Sequence, residues 1–248
     1  MTLHRRIPVD GLPITECRLA DVRHIIRMAI QDRRIPQQLA TVNLNYLRLS
    51  AENPLLREVL LACSHRFADG WPVVRLARRY GYAFTERVTG ADLVPAICRW
   101  AQEEKWRVAF VGGGTELRGR LAEYVRDHFG MECLGHWQPE YTHADRAGVR
   151  DPTLAAEIAS VRPDIVLVAL GCPKQDVWLA ENLASTGAAV GMGVGGSFDF
   201  LVGRVRRAPS IAQRLRLEFL YRALQEPRRL LPRYRRDFLY YLSLSRRP

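Results

Sequence analysis

The 248-residue chain lacks the marks of several large protein classes. Its five cysteines, at 17, 63, 98, 133 and 172, are odd in number and form no CxxC pair. That argues against a disulfide framework or a zinc site and for a reducing compartment. No apolar run approaches the roughly 18 residues that a membrane-spanning helix needs. The opening MTLHRRIPVDGLPITEC has no apolar core of signal-peptide length, so no secretion signal is expected. No GxxxxGK[ST] occurs, against a P-loop, and no DxD triplet, the usual carboxylate pair of a metal-bridged nucleotide-sugar site. Neither an internal repeat nor a low-complexity linker is present.

With 48% hydrophobic and 25% charged residues, the chain suits one large domain, or one domain with a small appendage. The net charge of +11 is concentrated: residues 204–248 hold 13 arginines, no lysine and only 3 acids. A segment so biased points to an anionic partner: a membrane surface, a nucleic acid or a phosphorylated substrate. The boundary is placed there, with a core over 1–203 and an appendage over 204–248. Upstream, strand and helix signals alternate. RIPVDGLPI reads as a hairpin, LADVRHIIRMAIQ as a helix, and QLATVNLNYL as a strand running into a loop. NPLLREVLLACSHRFADG reads as a helix capped by Asn53, with Pro54 first, ending at Asp69-Gly70. DLVPAICRWAQEE, TELRGRLAEYVRDHFG and DPTLAAEIASVRP read as further helices. DIVLVALG and AAVGMGVG are apolar without alternation, as strands buried on both faces are. The expectation is an α/β protein with a mainly parallel sheet and helices on both faces.

Two strand ends are rich in glycine. In FVGGGTELRG the amides around Gly112 and Gly113 either face a diphosphate at a helix start or simply make a tight turn. GMGVGG contains GxGxxG as Gly191, Gly193 and Gly196, but no acidic residue for a ribose follows about 20 positions on. An NAD-dependent oxidoreductase using that turn is the alternative reading. Asp69 stands at a helix end, against the helix dipole, so it is either a turn former or a functional carboxylate. Thr41 and Asn43 end a strand, where short polar groups meet ligands in open α/β sheets. Arg87 is a candidate anion holder, Asp92 opens a helix, and Gln175 starts one, where its amide reaches a sugar or uracil edge. Gly171, Lys174, Gly193, Gly195 and Arg207 complete the substrate-binding candidates. The tail mixes arginine with Leu215, Phe219, Leu220, Leu224, Leu230, Leu231, Phe238, Leu239 and Leu242. It either lies on anionic lipid or packs back as a helical hairpin with solvated arginines. Its apolar content argues against nucleic acid.

Taken in order, TVN (41–43), ADG (68–70), RVTGADL (87–93), FVGGG (110–114), GCPKQDVW (171–178), GVGGSFDFLVG (193–203), RAP (207–209), EFLYRALQEPRR (218–229) and RY (233–234) resemble the WecG/TagA/CpsF family of bacterial glycosyltransferases. The resemblance runs from about residue 7 to 240. It implies a Rossmann-like sheet and inverting transfer from a UDP-sugar to a polyprenyl-diphosphate-linked saccharide; with no DxD triplet in the chain, no metal cofactor is expected. It also implies a cytoplasmic enzyme, peripheral on the inner face of the plasma membrane, making surface or exopolysaccharide, whose basic appendage completes the site. By the same resemblance Asp69 is the general base, Thr41 lies near the acceptor, Gln175 is the family's glutamine, and Arg222, Arg229 and Arg233 are the appendage arginines. Asp176 stands where the family usually has glutamate. The donor sugar, the pathway and the oligomeric state, a homo-oligomer included, stay open.

Overall fold

The computed structural model describes residues 4–83, 86–117, 119–139, 150–209, 212 and 218–246. Leu215 lies outside them. A hairpin, β1 (Arg6–Val9) and β2 (Leu12–Thr15), is followed by α1 (Leu19–Asp32), β3 (Gln37–Val42), α2 (Leu44–Glu52), α3 (Pro54–Ala62), β4 (His65–Ala68) and α4 (Trp71–Arg79). Next come α5 (Gly90–Glu104), β5 (Val108–Gly112), α6 (Arg120–Phe129), β6 (His136–Trp137), α7 (Pro152–Ser160), β7 (Ile165–Ala169), α8 (Lys174–Asn182), β8 (Val190–Gly193) and α9 (Ser197–Leu201). Two helices end the chain, α10 (Glu218–Gln225) and α11 (Pro227–Ser245).

The main sheet has the order β4-β3-β8-β7-β5-β6, and every neighbouring pair is parallel. Every residue of β5, β7 and β8 is buried, which is why their sequences do not alternate. Val108, Phe110, Ile165 and Leu167 face α1, α5, α6 and α9. Their sequence neighbours Ala109, Val111, Val166 and Val168 face α7 and α8 on the other side. The hairpin and α2, α3 and α4 pack against β3 and β4 around Leu47, Leu60 and Val74. The expected doubly covered parallel sheet is thus found.

Two local expectations are corrected. After β3 the chain forms α2 rather than a loop, because Asn43 accepts the Tyr46 N–H at 3.2 Å and caps it. The segment from Pro54 to Gly70 is not one helix. Asn53 caps α3 as expected, accepting Leu56 N–H at 3.1 Å. Arg66, fully buried, then ends α3 by donating to the carbonyls of Leu60 and Cys63, both at 2.6 Å. A guanidinium satisfying the last orphan carbonyls stops a helix favourably. His65–Ala68 is free to pair with Leu39–Val42 as an edge strand.

The tail is docked on the core. Leu230 and Leu244 are buried, and Asp237 accepts from Arg48 at 2.8 Å with both side chains 7% exposed. Arg79 donates to Ser245 O at 2.8 Å, and Tyr240 bonds Asp10. Among the described residues no helix is long and apolar enough to cross a membrane.

Candidate functional site

Four neighbouring strands, β4, β3, β8 and β7, release their polar ends on the same edge of the sheet, and there a cleft of about 1410 Å³ opens. The carboxyl edge of a parallel sheet is where an open α/β fold gathers loops and helix starts around a ligand. Thr41 and Asn43 come from β3, Asp69 from β4, Gly171 from β7 and Gly195 from β8. The last two helices roof the cleft with Arg222, Arg229 and Arg233. Arg87 and Gln175 line it as well.

Asp69 follows a strand and precedes α4; its dipole environment is the reverse of the one read from sequence. Its N–H is held by Val42 O at 2.9 Å, and Gly70, at φ +92°, turns the chain into the helix. The half-buried carboxylate opens on the cleft, with protein packed behind it. Burial pushes its carboxyl up to about 7, against the pull of Arg87; Glu218 and Asp92 push further up, while a hydrogen bond from Asn43 favours the ionised form.

Around Asp69 runs a chain of charges. Arg87 pairs with Glu218 of α10 at 2.6 Å and lies 5.9 Å from the centre of the Trp71 ring. Arg207 pairs with Asp92 at 2.6 Å and reaches Glu218 at 3.7 Å. Arg87, expected to hold an anion, therefore holds the tail over the site. Asp92 and Arg207 are buttresses outside the lining. Thr89 caps α5 through the Asp92 N–H at 3.1 Å, which fixes the helix beneath them.

Gln175 is 1% exposed, and its carboxamide joins three segments. Its oxygen accepts from Gly171 N–H at 3.1 Å and Gly195 N–H at 2.9 Å. Its nitrogen donates to the Tyr46 hydroxyl at 2.5 Å, and that hydroxyl donates to Asp176 at 3.3 Å. Gln175 thus fixes the turns after β7 and β8 rather than presenting its amide to a sugar. Asp176 is fully buried, off the cleft, and burial pushes its carboxyl up to about 7 while the bond from Tyr46 favours ionisation. Lys174 does not line the cleft.

The glycine expectations change in the same way. Gly112 and Gly113 do not line the cleft. Gly113 N–H is spent on Ala169 O at 2.9 Å, and a Cβ at Gly112 would lie 2.7 Å from that same oxygen. They make a tight crossing, not a diphosphate cradle. Gly193 leaves room for Gln175, whose Nε2 would be 2.6 Å from a Cβ there. Gly191 leaves room for Leu179 at 2.6 Å and Leu183 at 2.7 Å. The first two glycines of GxGxxG serve packing, which removes the basis of the dinucleotide alternative.

Of the tail arginines, Arg222 stacks 4.9 Å from the Phe200 ring centre, and its buried Nε has no hydrogen-bond partner among the described residues. Arg233 lies 3.8 Å from Asp237, again with Nε unbonded. Arg229 is paired with Glu226 and is the most exposed of the three. Reading the sequence missed Glu218, Asp237, Tyr46 and the α4 arginines 75, 78 and 79. A signal for the first two was present: the tail has only three acids, Glu218, Glu226 and Asp237, and each is paired with an arginine. Residues 7–247 match the family model described as Glycosyl transferase WecG/TagA/CpsF family.

Proposed function

Since the chain belongs to the WecG/TagA/CpsF family of glycosyltransferases, we propose that it moves a sugar from a UDP-sugar to a polyprenyl-diphosphate-linked saccharide, with inversion and with Asp69 as general base. One observation carries the reading: a carboxylate of raised affinity for protons and the tail arginines 222, 229 and 233 line one cleft large enough for a nucleotide sugar.

The acceptor hydroxyl oxygen attacks the anomeric carbon from the Asp69 side, and its proton passes to the carboxylate. The bond from that carbon to the diphosphate oxygen breaks, and its electron pair leaves with UDP. A single displacement of this kind inverts the carbon. A base with a carboxyl near 7 is substantially ionised at neutral pH yet still basic enough to take a proton. Arg222 and Arg233, with Arg229 at the rim, stabilise the charge that develops on the leaving diphosphate. Thr41, 4% exposed at the cleft wall, orients the acceptor, and Gln175 positions the loops of β7 and β8.

The test is Asp69→Asn, assayed with UDP-sugars and a synthetic lipid-diphosphate sugar. Turnover falls about 100- to 10,000-fold while UDP affinity survives, and wild-type kcat/KM rises with pH through about 7. Wild-type-like turnover in the variant removes Asp69 from the chemistry. The reading also sets the tail against an anionic membrane: Leu220, Leu224, Leu231 and Leu239 are exposed beside Arg228, Arg235 and Arg236. Salt-sensitive sedimentation with anionic vesicles checks this, and failure to bind them refutes it.

A further inference from the structure

Seven arginines line the cleft, and five are engaged: Arg79 with the carbonyls of Leu244 and Ser245, Arg87 with Glu218, and the tail three with Phe200, Glu226 and Asp237. Arg75 and Arg78, both exposed on α4, have no hydrogen bond, ion pair or ring contact among the described residues. Three apart on a helix, they are neighbours on one face. α4 starts beside Asp69 and ends at Arg79, which is tied to the end of α11. Between those fixed points α4 supplies the arginine pair, and α11 supplies Phe238 and Tyr241.

From this placement we infer that Arg75 and Arg78 form a second anion subsite, which takes the diphosphate of the lipid-linked acceptor, with Phe238 and Tyr241 receiving the first part of its hydrocarbon chain. The inference rests on the proposed transfer reaction and deepens it. Distance supports the assignment. Arg75 stands four residues beyond Trp71, about 6 Å of helix rise, so an acceptor whose hydroxyl meets Asp69 carries its anomeric diphosphate across a sugar ring to the arginine pair. Composition supports it too: two unneutralised guanidinium groups beside an aromatic wall match an amphiphile with a dianionic head. The donor diphosphate has its own arginines on α10 and α11, so separate groups of the same cleft hold the two anions.

The test uses the full chain carrying Arg75→Gln and Arg78→Gln together. Both side chains are exposed, so the fold is undisturbed, and unchanged UDP affinity checks this. With UDP saturating and no vesicles present, farnesyl diphosphate is the probe and farnesol its uncharged control. The wild type binds the diphosphate, and the double variant binds it roughly 30-fold more weakly. Farnesol binding does not change. KM for the lipid-diphosphate sugar rises by a similar factor, with kcat retained. Equal affinity in the variant, no uptake by the wild type, or a loss that appears only with anionic vesicles each overturns the subsite; the last outcome makes the pair a membrane contact. Farnesyl diphosphate held through the pair by an enzyme that transfers no sugar sinks the transfer reading and leaves the subsite standing. Transfer with the variant unaffected sinks the subsite alone.

Discussion

Asp237→Asn tests whether the tail must be docked for the site to exist. In the wild type Asp237 accepts from Arg48 at 2.8 Å, with each side chain 7% exposed, so the pair sits in a low-dielectric seam between α2 and α11. Removing one partner of such a pair costs about 3–5 kcal/mol, because a buried charge is left behind. Arg48 keeps Glu52 at 2.7 Å on its solvent side and Asn45 at 3.1 Å, so the lower end, about 3 kcal/mol, applies here. At 1.4 kcal/mol per tenfold, that shifts the docking equilibrium by roughly 100-fold. The assay is hydrogen exchange read alongside turnover. Amides of α11 exchange up to roughly 100-fold faster, those of β5 and β7 do not change, and turnover falls as the undocked fraction grows. Arg48→Met with Asp237→Leu recovers much of the protection, since an apolar pair of similar volume replaces a buried ion pair at little cost. Unchanged exchange in α11 would refute the reasoning. So would an equal acceleration in β5 and β7, because the pair would then hold the whole fold and not the docking of its tail.

The Asp69 carboxyl is raised from 3.8 to about 7 in the folded chain, so the folded state prefers the protonated form. The stability this represents is whole below 3.8, declines through the window between the two values and is lost above 7. Asp69→Asn is therefore expected to raise the unfolding free energy at pH 8.5 by on the order of 3 kcal/mol or less, read as a higher Tm, and by less at pH 5.5; a variant less stable than wild type at pH 8.5 would count against a strained carboxylate. Gln175→Ala leaves the Gly171 and Gly195 amides without their acceptor, which costs about 2–3 kcal/mol and weakens both donor KM and kcat; thermal unfolding and steady-state kinetics read it, and a variant with wild-type KM would show that the two turns hold themselves.

The runs Ile165–Ala169 and Val190–Gly193 announce buried parallel strands in their own composition, because a strand covered on both faces has no reason to alternate. Asn53-Pro54 and Asp151-Pro152 announce helix starts, because capping is settled within four residues. The concentration of arginine after residue 204 is equally plain in the sequence. These properties are local, and the chain by itself determines them. The order of family-like motifs likewise singles out Asp69, Thr41, Gln175, Arg222, Arg229 and Arg233 from the sequence alone.

The tertiary structure decided the rest. The apolar spacing of LLREVLLACSHRFA suits a helix as well as a helix and a short strand, and only the buried Arg66, bonding the end of α3, divides it. That division moves Asp69 from a helix end to a strand end and reverses the sign of its dipole environment. Gly171 and Gly195 meet on one oxygen of Gln175 because β7 and β8 are adjacent in the sheet. Arg75 and Arg78, which no motif in the sequence marks, border the same cleft as Asp69 because the last helix comes back to lie along α4. Propensity and capping act over a few residues. Which side chains face each other across a cleft depends on strand order and on contacts more than 100 residues apart, such as Arg48 with Asp237, and these exist only once the chain has packed.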